Sequence, residues 1–157
     1  LAVQQISTVR PIKNLAELCQ ADFEQVEHAI TDEVAHRRAR HMVGEVQRTK
    51  DAVEALQHGN IQLFGKLMTQ SHISLRDDYE VTGLQLDSLA EAAWKVDGVL
   101  GSRMTGGGFG GCTVSLVREG AIPTFIEQVG KEYTEKTGLK ADFYIAEIGD
   151  GAHRILM

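Results

Sequence analysis

The sequence predicts an α+β domain, with helices first and then an antiparallel sheet carrying helices on one face. Three observations support that expectation. Apolar residues between Asp22 and Leu56 return every three or four positions, the period of a buried helical stripe. Two β-prone runs, Gly98-Val99-Leu100 and Thr113–Val117, flank a glycine-rich stretch over residues 101–112. A proline-opened helical pattern and one more β-prone run, Asp142–Ile148, follow.

Residues 1–20 have the weakest pattern and are expected to form a frayed lead-in, leaving 21–157 as the domain proper. The first stripe is Val34, Ala39, Met42, Val43, Val46, Val53 and Leu56, and Gly59 after His58 reads as its C-terminal stop. Asn60 caps the next helix, which buries Ile61, Phe64, Leu67 and Met68. Thr82 and Gln85 have capping-box spacing for a third helix, with Leu86, Leu89, Ala90 and Ala93 on its buried stripe and Trp94 also over the core. A fourth helix is marked by Pro123 in its first turn, by Ile122, Phe125, Ile126, Val129 and Tyr133, and by Gly138 as its stop. Ala152–Leu156 is expected to pair with the 142–148 run as a hairpin across Gly149-Asp150-Gly151.

Composition narrows the class. With 157 residues and 43% hydrophobic content the chain can bury one core, and domains of this length bury about two-thirds of their unfolded surface. A net charge of −6 gives no support for nucleic-acid binding. No apolar run approaches the roughly 18 residues of a membrane span, no signal peptide opens the sequence, and the expected compartment is the cytoplasm. Cys19 and Cys112 lack the paired spacing of a disulfide framework or zinc site. Glu33-x-x-His36 is half of a di-iron helical pair with no second copy, and the histidines form no His-Glu-x-x-His arrangement, so no metal site is predicted. Arg37, Arg38 and Arg40 read either as a solvated helix face or as an anion-binding patch.

The glycine run holds the chemistry. Five of the six residues from Gly106 to Gly111 are glycine, each costing roughly 0.5–1 kcal/mol relative to alanine inside a regular element. Gly106-x-Gly108-x-x-Gly111 formally matches a dinucleotide fingerprint, but a strand follows it where that motif needs a helix. No Gly-Lys-Ser/Thr closes the run, which excludes a P-loop, and protein-kinase signatures are absent. Two readings stay open on glycine content alone: a flexible hairpin connection, or a nest of exposed amides suited to an anion or to close backbone approach. Arg76-Asp77-Asp78-Tyr79 offers two carboxylates that could serve magnesium or proton transfer, although adjacent side chains on a helix diverge; ion pairs and caps are the alternative.

Ser102–Val114 resembles the third signature motif of the galactokinase family, one of the GHMP small-molecule kinases. Arg38–Glu45 with Gln47-Arg48-Thr49, and Ser71–Val81 followed by Leu86-Asp87, are similar to galactokinase segments in the same order. The similarity spans roughly residues 15–156. The resemblance implies a ferredoxin-like core with additional helices and identifies the sequence as similar to the C-terminal domain of such a kinase. The family's sugar-binding segment, Gly-Leu-Ser-Ser-Ser phosphate loop and catalytic aspartate are not found, and are expected on an N-terminal half. The implied reaction is phosphorylation of the galactose anomeric hydroxyl by ATP with magnesium. ATP, magnesium and galactose would be held through that other half, and the chain by itself is expected to bind no cofactor and to be inactive.

On this resemblance the chain supplies one wall of the cleft: Arg103, Thr105, Gly106, Gly107, Gly108, Phe109, Gly110 and Gly111, with His72, Arg76, Asp77 and Asp78 as secondary candidates. The glycines would admit the partner domain's phosphate loop, Thr105 would hydrogen-bond that loop or a phosphate oxygen, Arg103 would pair with an acidic group across the interface, and Phe109 would anchor the loop apolarly. The isolated domain is expected to self-associate through its exposed interface. Related possibilities are a sugar-sensing regulator, an N-acetylgalactosamine kinase, or an autonomous small-molecule-binding module.

Overall fold

A computed structural model describes residues 1–147, 149 and 151. Among the described residues six α-helices run in chain order: α1 Ala2–Ile6, α2 Gln20–Val26, α3 Glu33–Gln57, α4 Ile61–Ser74, α5 Leu84–Trp94 and α6 Ile122–Thr137. Strands β1 Val99–Thr105 and β2 Cys112–Val117 lie between α5 and α6. They pair antiparallel, from Thr105 opposite Cys112 to Val99 opposite Val117, with an irregularity between Val99 and Gly101. The glycine run is therefore the connection of a β-hairpin, as the flanking β-prone runs predict.

Helix ends follow side-chain chemistry. Asp32 accepts from the Ala35 amide at the start of α3 and Asn60 accepts from the Leu63 amide at the start of α4. Pro123 sits in the first turn of α6, and Gly138 closes it at φ 72°. The Thr82–Gln85 capping box does not form: Gly83 occupies the cap position without a side-chain bond, and Thr82 is buried. The long helical stripe is also interrupted. A 3₁₀ turn over Glu27–Ala29 and extended backbone at Ile30 separate α2 from α3. Within α3, Ala39 and Val43 enter the core, whereas Val34, Met42, Val53 and Leu56 are exposed on this chain.

The lead-in does not fray. Ile6 and Leu18 are buried with Phe23, Val26, Ile30, Ala39 and Val43, and Arg10 binds Asp22 at 2.5 Å. A second cluster joins α5 to α6 through Ala92, Ala93, Val96 and Val129. A third, of Leu75, Leu86 and Met104 with Val81 against it, lies at the root of the glycine loop. Helix α4 and β1 meet closely at two glycines: a Cβ on Gly101 would fall 2.0 Å from the Gly65 carbonyl oxygen, and one on Gly65 would fall 2.2 Å from that of Leu100.

The predicted strand at 142–148 is not formed over its described residues, 142–147. Burial there is made by a side chain instead: Phe143 packs edge-on against Phe125 at 5.9 Å and lies over Gly130. The expected hairpin partner at 152–156 lies outside the described residues, as does Ile148.

Candidate functional site

The glycine loop is held at both arms by one segment, residues 71–81. Helix α4 continues into a π-helical turn over Leu75–Tyr79 and ends at Glu80, whose φ of 58° is left-handed. A π-turn followed by a non-glycine residue in that region is a costly local geometry, and three ties hold it. Arg38 donates to the Asp78 carbonyl and, at 2.7 Å, to the Glu80 carboxylate. Arg37 reaches the same carboxylate at 3.2 Å. Tyr79 stacks on His41, their ring centres 4.7 Å apart, and the Arg38 guanidinium lies over the Tyr79 ring, 5.4 Å from its centre. The basic cluster is thus committed to this turn, with Arg40 3.8 Å from Asp78.

This turn aims the Val81 carbonyl at the loop, where it accepts from the Phe109 amide at 2.8 Å. Gly108 is glycine because of that contact: its φ is 82°, and a Cβ would lie 2.0 Å from the Val81 oxygen. One close approach of the glycines therefore occurs within this chain, at Gly108. Gly106, Gly107, Gly110 and Gly111 differ, for an added Cβ would meet nothing within 4 Å. Gly106, Gly110 and Gly111 have left-handed φ that disfavours a side chain, but Gly107 does not. The outer side of the loop is open.

The other arm is tied at Met104, just before the loop. Its amide donates to His72 Nδ1 at 2.9 Å, and His72 Nε2 lies 3.0 Å from the Asp87 carboxylate of α5. A backbone N–H can only donate, so Nδ1 is the acceptor and Nε2 carries the proton. Trp94 packs edge-on against the imidazole and donates to the Ser102 carbonyl. Burial pushes the His72 pKa down despite Asp87, and it does the same to His41, whose Nδ1 lies 3.0 Å from the Ser74 hydroxyl. Both rings are neutral near pH 7.

Arg103 donates to the Met104 carbonyl and lies 3.8 Å from Glu45. Burial raises the Glu45 pKa, but hydrogen bonds from Ser71 and Arg48 outweigh it and leave the carboxylate lowered. Thr105 is exposed at the end of β1 opposite Cys112. On this chain the Phe109 side chain is 83% exposed, and the tie to Val81 is made by its backbone amide at φ 57°. Met42, Tyr79, Val81, Gly107 and Phe109 line a cleft of about 750 Å³ beside the loop.

Arg76 and Asp77 form an ion pair, and Arg76 also binds Glu91 at 2.9 Å. Asp78 accepts from the Ser74 hydroxyl. These are the ion pairs and caps that the sequence offered as the alternative to chemistry. His36 pairs with Glu27 at 2.8 Å. Among the described residues no group of three or more His, Cys, Asp or Glu could hold a metal ion. Cys19 and Cys112 are free thiols, and no helix among the described residues is long and apolar enough to cross a membrane. Glu45, Glu80, Val81 and Asp87 support the loop, and sequence reasoning gave them no role. Their only signal was membership in the segments Arg38–Glu45, Ser71–Val81 and Leu86-Asp87.

Comparison with known proteins covers nearly the whole chain. A family model described as GHMP kinases C terminal matches residues 52–135. A galactokinase of Fusobacterium nucleatum is 61% identical over 92% of this chain and 37% of its own length. One of Clostridium beijerinckii is 51% identical over 98% of this chain and 40% of its own. The crystal structure of Lactococcus lactis galactokinase complexed with galactose superposes with a TM-score of 0.91 at 49% identity, covering 96% of this chain and 39% of that one. The chain thus spans about two-fifths of the length of the curated relatives it matches.

Proposed function

The chain belongs to the GHMP kinase C-terminal family, and from that premise we propose that it is the C-terminal part of a galactokinase. In the whole protein it forms one wall of the cleft in which ATP phosphorylates the anomeric hydroxyl of galactose. The observation that carries this reading is the glycine loop, held at Met104 and at Phe109 but open on its outer side. A mere hairpin connection needs neither tie.

Phosphoryl transfer asks a protein mainly to position groups and to stabilise charge. ATP and magnesium supply the phosphoryl group and neutralise its charge when bound. The uncrowded backbone at Gly106, Gly107, Gly110 and Gly111 fits an anionic neighbour or a second backbone, since nothing lies within 4 Å of where a side chain would stand there. Asp77 and Asp78, the two carboxylates the sequence offered for such a role, do not fit the base or the metal ligands, being committed to Arg76, Arg40 and Ser74. Those groups are assigned to the remainder of the protein. Incubating the full-length parent with ATP, magnesium and galactose, with N-acetylgalactosamine as the competing sugar, tests the reading. Galactose 1-phosphate is the expected product, and a preference for N-acetylgalactosamine, or no sugar phosphate at all, would overturn it.

A further inference from the structure

The His72 imidazole is fully buried beneath the strand that leads into the loop. It makes two polar contacts of opposite sense, accepting at Nδ1 from the Met104 amide and donating at Nε2 to Asp87. Met104 is two residues before Gly106, and the ring is wedged in place by Trp94 at 5.5 Å. The charged groups that face it are Asp87 from α5, Arg76 and Asp77 from the π-turn and Arg103 from β1. Protonation would place an N–H at Nδ1 against the Met104 N–H and break the tie. The neutral ring is therefore the only form that holds this arm of the loop.

We propose that His72 is a positioning residue for the glycine loop, fixing its entry through the Met104 amide while Asp87 sets the tautomer that makes Nδ1 an acceptor. This inference rests on the galactokinase reading for its consequence on turnover, but not for its consequence on the loop's hydrogen bonding. A buried acceptor facing Met104 is what the role requires, and the two carboxamide residues separate that from packing. Asparagine places an oxygen near the Nδ1 position and can still accept from Met104. Glutamine places its amide near Nε2 and can still donate to Asp87, but leaves the Met104 amide without an acceptor.

The test compares His72→Asn and His72→Gln in the full-length parent. The readouts are kcat, KM for galactose, melting temperature, and amide hydrogen exchange at Met104 and Phe109. His72→Gln is expected to lower kcat about tenfold with KM for galactose nearly unchanged, because a small displacement near the chemistry acts on the transition state. It should also speed exchange at Met104 at least tenfold. His72→Asn should recover most of both losses. Equal losses in the two variants, following melting temperature alone, would reduce His72 to a core residue and overturn the proposal. If the wild-type parent phosphorylates no galactose, the kinase reading fails by itself. The exchange comparison still decides the positioning role, since faster exchange at Met104 in His72→Gln alone supports it and matched exchange refutes it.

Discussion

Gly107 and Gly108 are neighbours with different reasons to be glycine. At Gly108 a left-handed φ and the Val81 carbonyl leave no room for a Cβ, so any substitution strains the fold before it can affect chemistry. At Gly107 nothing lies within 4 Å and φ is ordinary. Gly107→Val in the full-length parent is therefore expected to leave melting temperature within about 2 °C, since it meets neither crowding nor backbone strain. Turnover should fall on the order of 100-fold if the loop's outer side receives phosphate or another loop. Turnover beside melting temperature checks this, and unchanged turnover would make the loop a simple connection. The two buried histidines give a pH signature. Burial lowers both pKa values from 6.5, so the unfolded chain takes up protons first as pH falls. Stability from His41 and His72 is complete above about pH 6.5 and is lost below it as pH falls toward their folded values. Melting temperatures measured from pH 8 to pH 5 should decline below 6.5, and a flat profile across that range would contradict the assignment of neutral buried rings.

At the scale of elements, the most demanding contact is the crossing of α4 over β1. Gly65 and Gly101 bring helix and strand backbones together, which sets the depth of His72 beneath Met104. Gly101→Ala would place a Cβ 2.0 Å from the Gly65 oxygen, and overpacking of this kind costs about 2 kcal/mol or more. Thermal unfolding should show it as a loss of several degrees, while Gly120→Ala, with nothing within 4 Å, should be close to neutral. Elements of strong local pattern were legible in the sequence: the Asn60 cap, the Pro123 start and Gly138 stop, and the β-prone runs around the glycines. Elements decided by tertiary contact were not. Thr82-x-x-Gln85 has capping-box spacing, yet Thr82 is buried and Gly83 takes the cap. Residues 142–147 are β-prone, yet their burial comes from Phe143 on Phe125 and not from a ladder. Residues 1–20 show little period, yet Ile6 and Leu18 reach the core from short turns that no periodicity reports. The loop itself was visible in the sequence as a candidate site, but its supports at Val81, Glu80 and Asp87 are joined to it only by folding.

At the scale of the whole molecule, three clusters of the described core have separate tasks. One fastens the N-terminal turns to α3, one fastens α5 to α6, and the third lies directly beneath the glycine loop. Met42 and Phe109 remain exposed beside the cleft, and the outer face of the loop is uncovered. On the reading proposed here that face is completed by the rest of a galactokinase, which supplies the base, the metal ligands and the adenine site. The most direct measurement is galactose-dependent ADP release from ATP and magnesium, made side by side on the full-length parent and on this chain by itself. The account predicts sustained release from the parent and none above background from the isolated chain. Release by the isolated chain, or its absence from a folded parent, would contradict it.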